Sequence, residues 1–237
     1  FAYFLQILTG PKRERKFQMK EPIKVDICVI GAGSGGLSVA AGASQLGADV
    51  ALVERRLMGG DCLNFGCVPS KTLLAAGKVA HKIKTAGQYG ISSDNLRIDI
   101  AAVREHVRNV IASIAPYDSV ERFQALGVNV IEGAARFTGP REIEVEGQKI
   151  NSRRFVIATG SSPRIPPISG LDKIGYLTNE TVFDYDQPIE HLVIVGGGPI
   201  GAELAQAHRR LGSAVTIIEM GPLLPSEDEE LTEVVRN

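Results

Sequence analysis

Val25–Arg56 reads VDICVIGAGSGGLSVAAGASQLGADVALVERR, and its pattern returns at a constant offset of 165 in His191–Pro222, HLVIVGGGPIGAELAQAHRRLGSAVTIIEMGP. Gly31, Gly33, Gly36 and Gly47 align with Gly196, Gly198, Gly201 and Gly212. Each copy opens with an apolar run of buried-strand type (Ile27–Ile30; Leu192–Val195), continues through a small-residue helix, and returns through a second apolar run to Glu54 or Glu219. That order is a βαβ unit. In both copies the acid stands 23 residues after the first glycine, near the spacing of ~20 expected for a carboxylate that holds an adenosine ribose. The first glycine permits the sharp turn, the second lets backbone amides approach a pyrophosphate, and the third lets the helix pack close to the strand. The helix N-terminus then faces the phosphates. One GxGxxG is weak evidence; two copies in register with strand, helix and acid predict two dinucleotide sites. The competing reading of Glu54 and Glu219 is a solvated carboxylate at a strand end. A carboxylate accepts hydrogen bonds from a free 2′-hydroxyl and repels a 2′-phosphate, so Glu219 favours NAD over NADP.

Outside the repeat the composition is that of a globular protein. Lys+Arg 26 against Asp+Glu 27 leaves a net charge of −1 over 237 residues, which gives no global field to draw nucleic acid or an anionic membrane. The 26 glycines exceed the usual ~7%, and the repeat accounts for part of the excess. Two readings of the start stay open. Phe1–Gly10 followed by Lys12, Arg13, Arg15 and Lys16 fits the cytoplasmic end of a membrane segment, or an extension ahead of Met19. The expected location is cytoplasmic, with membrane contact only through this extension. At the other end Ser226–Asn237 reads as a helix start, and the second unit reads as the opening of a domain.

Between the copies, Pro69–Lys84, Ile98–Ala115 and Ser119–Leu126 carry helical spacing, and Val128–Ile131 returns as a parallel-type strand. Arg136–Val156 holds three short runs split by Thr138-Gly-Pro and Glu146-Gly-Gln, which predicts a small antiparallel meander. Phe155–Ala158 runs into a turn at Thr159-Gly160. Pro163, Pro166 and Pro167 then mark a stiff connection. The predicted organisation is an N-terminal extension over 1–22, a dinucleotide domain over 23–165, a connection over 166–189 and a partial second dinucleotide domain over 190–237. The fold class is α/β, Rossmann-like, with the meander attached to the first domain.

The chemistry lies in Gly59–Lys71, GGDCLNFGCVPSK, where Cys62 and Cys67 stand five apart just before a helix. A distorted turn there brings two cysteines within disulfide range. A helix N-terminus and Lys71 would lower a thiol pKa and keep a reactive thiolate. Zinc is the competing reading, but two thiols without a further Cys or His pair fall short of four ligands, and no metal site is predicted. Two unrelated buried thiols among Leu63, Phe65 and Val68 form the bland alternative. Cys28, inside the first strand, reads as core. His81, His106, His191 and His208 read by default as solvated residues.

GGDCLNFGCVPSK, followed by ATGSSP and the second glycine unit, strongly resembles the class I pyridine nucleotide-disulfide oxidoreductases, the family of lipoamide dehydrogenase, glutathione reductase and mercuric reductase. The resemblance runs from Val25 to Asn237, about the first half of a typical member. It implies FAD at Gly31, Gly33, Gly36 and Glu54, with Gly60, Ala134, Thr159 and Gly160 as further contacts, and NAD, less favourably NADP, at Gly196, Gly198, Gly201 and Glu219. It further implies that Cys67 is the thiol facing the flavin, that Cys62 meets the substrate, and that Lys71 pairs with Glu203 beside the flavin. The competing reading of Glu203 is a first-turn acid that complements the helix dipole. Electrons would pass from NAD(P)H through the flavin to a Cys62–Cys67 disulfide, and on to a disulfide, dithiol or metal-ion substrate. Members of the family are homodimers whose C-terminal domain supplies a His-Glu pair. One departure is Asp61, where many relatives carry Thr near the pyrophosphate and where a carboxylate repels phosphate unless paired. The alternatives are a nucleotide-binding piece without turnover and a flavin enzyme that makes no use of its thiols.

Overall fold

The computed structural model describes residues 21–93 and 95–236; both readings of the first twenty residues fall outside the described residues. The first unit is β1 (Ile23–Ile30), α1 (Ser34–Gln45) and β2 (Val50–Glu54). It is followed by α2 (Gly60–Asn64), α3 (Cys67–Lys84), α4 (Ile100–Ile114), α5 (Val120–Ala125) and β3 (Asn129–Glu132). Next come β4 (Arg136–Gly139), β5 (Glu142–Val145) and β6 (Gln148–Ile157). The second unit is β7 (His191–Val195), α6 (Pro199–Arg210) and β8 (Ala214–Ile218), with α7 (Glu229–Arg236) after it.

A six-stranded sheet in the order β3-β2-β1-β6-β5-β4 organises the first unit. β1, β2, β3 and β6 run parallel, whereas β5 and β4 pair antiparallel beyond β6. The expected meander is therefore continuous with the parallel sheet, because the ten residues of β6 pair with β1 on one side and β5 on the other. Val50–Val53 is buried throughout, as a strand covered on both faces requires. One face packs Val29, Leu37, Val50, Leu52 and Phe123 against α1 and α5; the other buries Cys28, Ala51, Val53, Ile143 and Ile150. Cys28 is a core residue, and burial pushes its thiol up to about 12.

β7 and β8 form a separate parallel pair with α6 as the crossover between them. α6 docks on α3 and α4 through Leu73, Val107, Leu204, Ala207 and Leu211. Val182 and Phe183, from the proline-rich connection, are buried in the same cluster, so that stretch is anchored at its distal part. The histidine reading needs one correction. His208 is only 5% exposed, because it shares the stripe Leu204, Ala207, Leu211 on one side of α6. Among the described residues no helix is long and apolar enough to cross a membrane.

Candidate functional site

The first glycine loop is shaped by two close approaches. Gly31 has φ 108°, and a Cβ on Gly36 would overlap the Gly31 carbonyl oxygen, so the start of α1 lies directly on the turn. Loop 57–60 then closes over it: the Gly59 amide donates to the Ala32 carbonyl at 2.9 Å, and a Cβ on Gly60 would stand 2.6 Å from the Gly33 Cα. Backbone thus meets backbone, with no side chain between. Glu54 reaches back from the end of β2, its Oε2 accepting from the Ala32 amide at 2.6 Å and its Oε1 from the Arg56 amide at 2.7 Å. It is no free strand-end acid. A cleft lined by Gly31, Gly33, Glu54, Gly60, Thr159 and Gly160 results. Bare backbone at a helix N-terminus with a carboxylate at the strand end suits the pyrophosphate and ribose of a dinucleotide.

The second loop repeats this wiring. A Cβ on Gly201 would overlap the Gly196 carbonyl oxygen, and Gly198 caps α6 as Gly33 caps α1. Glu219 Oε2 accepts from the Gly197 amide at 2.6 Å and Oε1 from the Met220 amide at 2.7 Å. These amide donors, Gly197 first, then Met220 and Gly221, hold the Glu219 carboxyl below its ordinary pKa. The carboxylate that would meet a ribose is thus kept charged.

α2 and α3 present the cysteines. The Phe65 amide donates to the Asp61 carbonyl at 2.8 Å, and a Cβ on Gly66 would lie 3.0 Å from that same oxygen. This tight turn starts α3 at Cys67, two residues ahead of the expected Pro69, and leaves Pro69 in the first turn, where its missing N–H is harmless. Cys62 and Cys67 are free thiols on either side of this turn, close enough to raise the pKa of Cys62. Cys67 is exposed at the helix N-terminus with Lys71 one turn on. The expected lowering of a thiol pKa does not hold for Cys62. Burial first, then the hydrogen bond to Cys67 and the charges of Cys67 and Asp118, push it up to about 11.

Lys71 Nζ pairs with Glu203 Oε1 at 2.5 Å, and Ser70 Oγ donates to the other carboxylate oxygen at 3.0 Å. Glu203 lies beyond the first turn of α6, so it serves this pair rather than the helix dipole. Ala134, exposed after β3, is not among the residues lining the cleft. Sequence reasoning missed Ser70 as a partner of Glu203, and it missed Arg56, which lines the cleft, pairs with Glu180 at 3.4 Å and lies 5.5 Å over the Phe65 ring. Only the Arg pair after Glu54 hinted at it. Asp61 lines the same cleft, where its charge opposes a phosphate.

Known proteins resemble the chain over most of its length. The sequence profile of the family described as pyridine nucleotide-disulphide oxidoreductase matches residues 25–237. A mercuric reductase of Lysinibacillus sphaericus is 36% identical over 211 residues, 89% of this chain and 39% of the relative. A dihydrolipoyl dehydrogenase of Haloferax volcanii is 37% identical over 222 residues, 89% of this chain and 46% of the relative. Among solved structures, the HOCl-induced flavoprotein disulfide reductase RclA of Escherichia coli superposes with a TM-score of 0.75 at 27% identity, over 89% of this chain and 46% of that one. The chain spans less than half the length of these proteins. Members of the family use FAD and NAD(P)H. With its paired glycine loops and vicinal thiols, the chain belongs to the pyridine nucleotide-disulphide oxidoreductase family.

Proposed function

We propose that this chain is the cofactor-binding portion of an FAD-dependent disulfide oxidoreductase in which Cys62 and Cys67 are the redox pair. The observation that carries the reading is the placing of Cys62 in α2 and Cys67 at the start of α3, across one tight turn whose first residues, Gly60 and Asp61, also line the glycine-loop cleft. In this reading residues 23–165 bind FAD, 166–189 connect, and 190–237 begin the NAD(P) site. Gly31, Gly33, Gly36, Glu54, Thr159 and Gly160 hold FAD; Gly196, Gly198, Gly201 and Glu219 hold the nicotinamide cofactor, with Glu219 favouring NAD. FAD bound there supplies the two-electron chemistry between NAD(P)H and the cysteine pair.

The chain's own part is sulfur chemistry. Two electrons and two protons convert the Cys62–Cys67 disulfide to two thiols. For a disulfide substrate, Cys62 as thiolate attacks one substrate sulfur and the other leaves as a thiolate. Cys67 then attacks Cys62, which releases the second substrate thiol and restores the disulfide. A dithiol substrate runs the sequence backwards, and a soft metal ion would be bound by both thiolates before reduction. Because Cys62 is held protonated, attack requires a base that this reading assigns to a homodimer partner. Lys71, fixed by Glu203, sets the charge beside Cys67.

The test is spectroscopic. FAD added to the purified chain is expected to bind and, on partial reduction, to give a long-wavelength band that Cys67→Ser abolishes. Retention of the band in that variant sinks the assignment of Cys67, and failure to bind FAD sinks the cofactor site.

A further inference from the structure

α6 lies along α3 in a seam with polar contacts at both ends. Glu203 meets Lys71 and Ser70 at one end. In the middle a Cβ on Gly77 would stand 3.2 Å from the Ala207 carbonyl oxygen, and at the far end Lys84 Nζ donates to the Arg210 carbonyl at 3.4 Å. Leu204, Ala207 and Leu211 make up the apolar remainder, with Leu73, Val107 and Phe183 facing them. Apolar packing of the right volume keeps stability while losing uniqueness and rigidity when it is altered.

Two buried polar groups interrupt the seam. Arg104 of α4 is 2% exposed and His208 of α6 is 5% exposed. Arg104 Nη1 and His208 Nε2 are both buried, and neither has a hydrogen-bond partner among the described residues. A buried donor and a buried ring nitrogen left unpaired each carry a desolvation penalty. The neighbouring charges do not resolve it. Asp184 and Asp186 act on Arg104 from the connection, but Asp186 Oδ1 accepts directly from Arg108 at 3.1 Å. Burial, and after it the charge of Arg104, keeps His208 neutral by lowering it to about 4. A guanidinium has only donors, and a neutral imidazole offers one acceptor nitrogen. Each group therefore supplies what the other lacks.

We propose that Arg104 and His208 form a buried polar link between α4 and α6, Arg104 donating through one trapped water to Nε2 of the Nδ1–H tautomer, and that this link positions Glu203 on Lys71. His208 lies five residues beyond Glu203 on the same helix. Anchoring both positions fixes the helix in one arrangement, which apolar packing alone specifies less strictly. The two are positioning residues, acting on the cysteine site through Glu203. The link stands whether or not the cysteines are redox-active, because its test uses only the nucleophilicity of the thiols.

The test compares His208→Phe, His208→Gln, Arg104→Met, the Arg104→Met/His208→Phe double variant and Glu203→Gln in the full chain. Without Glu203, Lys71 is an uncompensated cation one turn from Cys67, which favours thiolate. Native alkylation by iodoacetamide near neutral pH is expected to quicken about threefold in Glu203→Gln, the size of a modest surface ion pair. His208→Phe should quicken it alike, whereas His208→Gln, which keeps an acceptor, should match the parent. Nitrogen NMR should place His208 Nε2 at its unprotonated position. In urea unfolding the double variant should lose less than the two single variants together. The proposal is overturned if Phe and Gln behave alike, if Nε2 carries the proton, or if the unfolding losses add; the Gln variant and the NMR measurement decide even where His208→Phe fails to fold.

Discussion

At the scale of single residues, α1 contains its own control. Gly36 and Gly42 share this helix, but a Cβ on Gly36 would overlap the Gly31 carbonyl oxygen while one on Gly42 meets nothing within 4 Å. Gly36→Ala is expected to destabilise by about 1–3 kcal/mol, the usual cost of overpacking. Gly42→Ala should stabilise by about 0.5–1 kcal/mol, since it removes unfolded-state freedom without strain. Urea midpoints of the two variants check both signs, and equal losses would mean that α1 does not rest on the turn. Cys62 offers a second test at this scale. With its thiol pushed up to about 11, its alkylation should be slow at neutral pH and climb with pH through that value. Cys67→Ala removes the second and third causes of the rise but not burial, the first, so the climb should shift only partly toward the ordinary thiol range; mass-resolved labelling of Cys62 measures it.

Elements carry the next set of expectations. Asp99 caps α4 by accepting from the Ala102 amide at 3.0 Å, so Asp99→Ala should cost about 1 kcal/mol. If hydrogen exchange in the first turn of α4 does not quicken, the cap is not what holds that end. The glycine units were legible because their constraints are local. A turn, a helix start and a returning acid all fall within about thirty residues, and in both copies the acid bonds a loop amide 22 residues back. Cys62 and Cys67 were legible for the same reason. What depends on distant partners was not. Nothing in Gln148–Ile157 says that one strand joins the meander to β1, and Phe183 sits among turn-forming residues although it packs under α6. His208 could have been found: it stands four residues after Leu204 and three before Leu211, inside the buried stripe, but histidine type outweighed position.

For the whole molecule, His208 makes stability depend on pH in a stated direction. Its folded pKa is lowered from 6.5 to about 4, so between those values the unfolded chain takes up a proton that the folded chain refuses. Stability therefore falls as pH drops from about 6.5 toward about 4, by roughly 3 kcal/mol at the lower end. Urea unfolding at several pH values in this window should show the slope, and His208→Phe should flatten it; a slope unchanged in that variant would assign the effect to other groups. Below this window Asp26 and Glu142 add to the loss, because hydrogen bonds, to the Asp49 amide for Asp26 and to Lys149 for Glu142, lower both carboxyls. Acid should thus release α6 from α3 and α4 before the six-stranded sheet opens.

The place of β6 also bears on how the chain is made. β1 is central: β2 can pair with it once Glu54 has been synthesised, but its other neighbour is 127 residues away, as Arg153 is from Asp26. At roughly 5–20 residues per second on the ribosome, one edge of β1 waits on the order of 6–25 seconds for that neighbour. During that interval its Ile, Val and Cys side chains stay without their final cover, so the slow and aggregation-exposed step of biogenesis is the arrival of β6, which completes the sheet behind the first nucleotide loop before β7 and β8 of the second have been made.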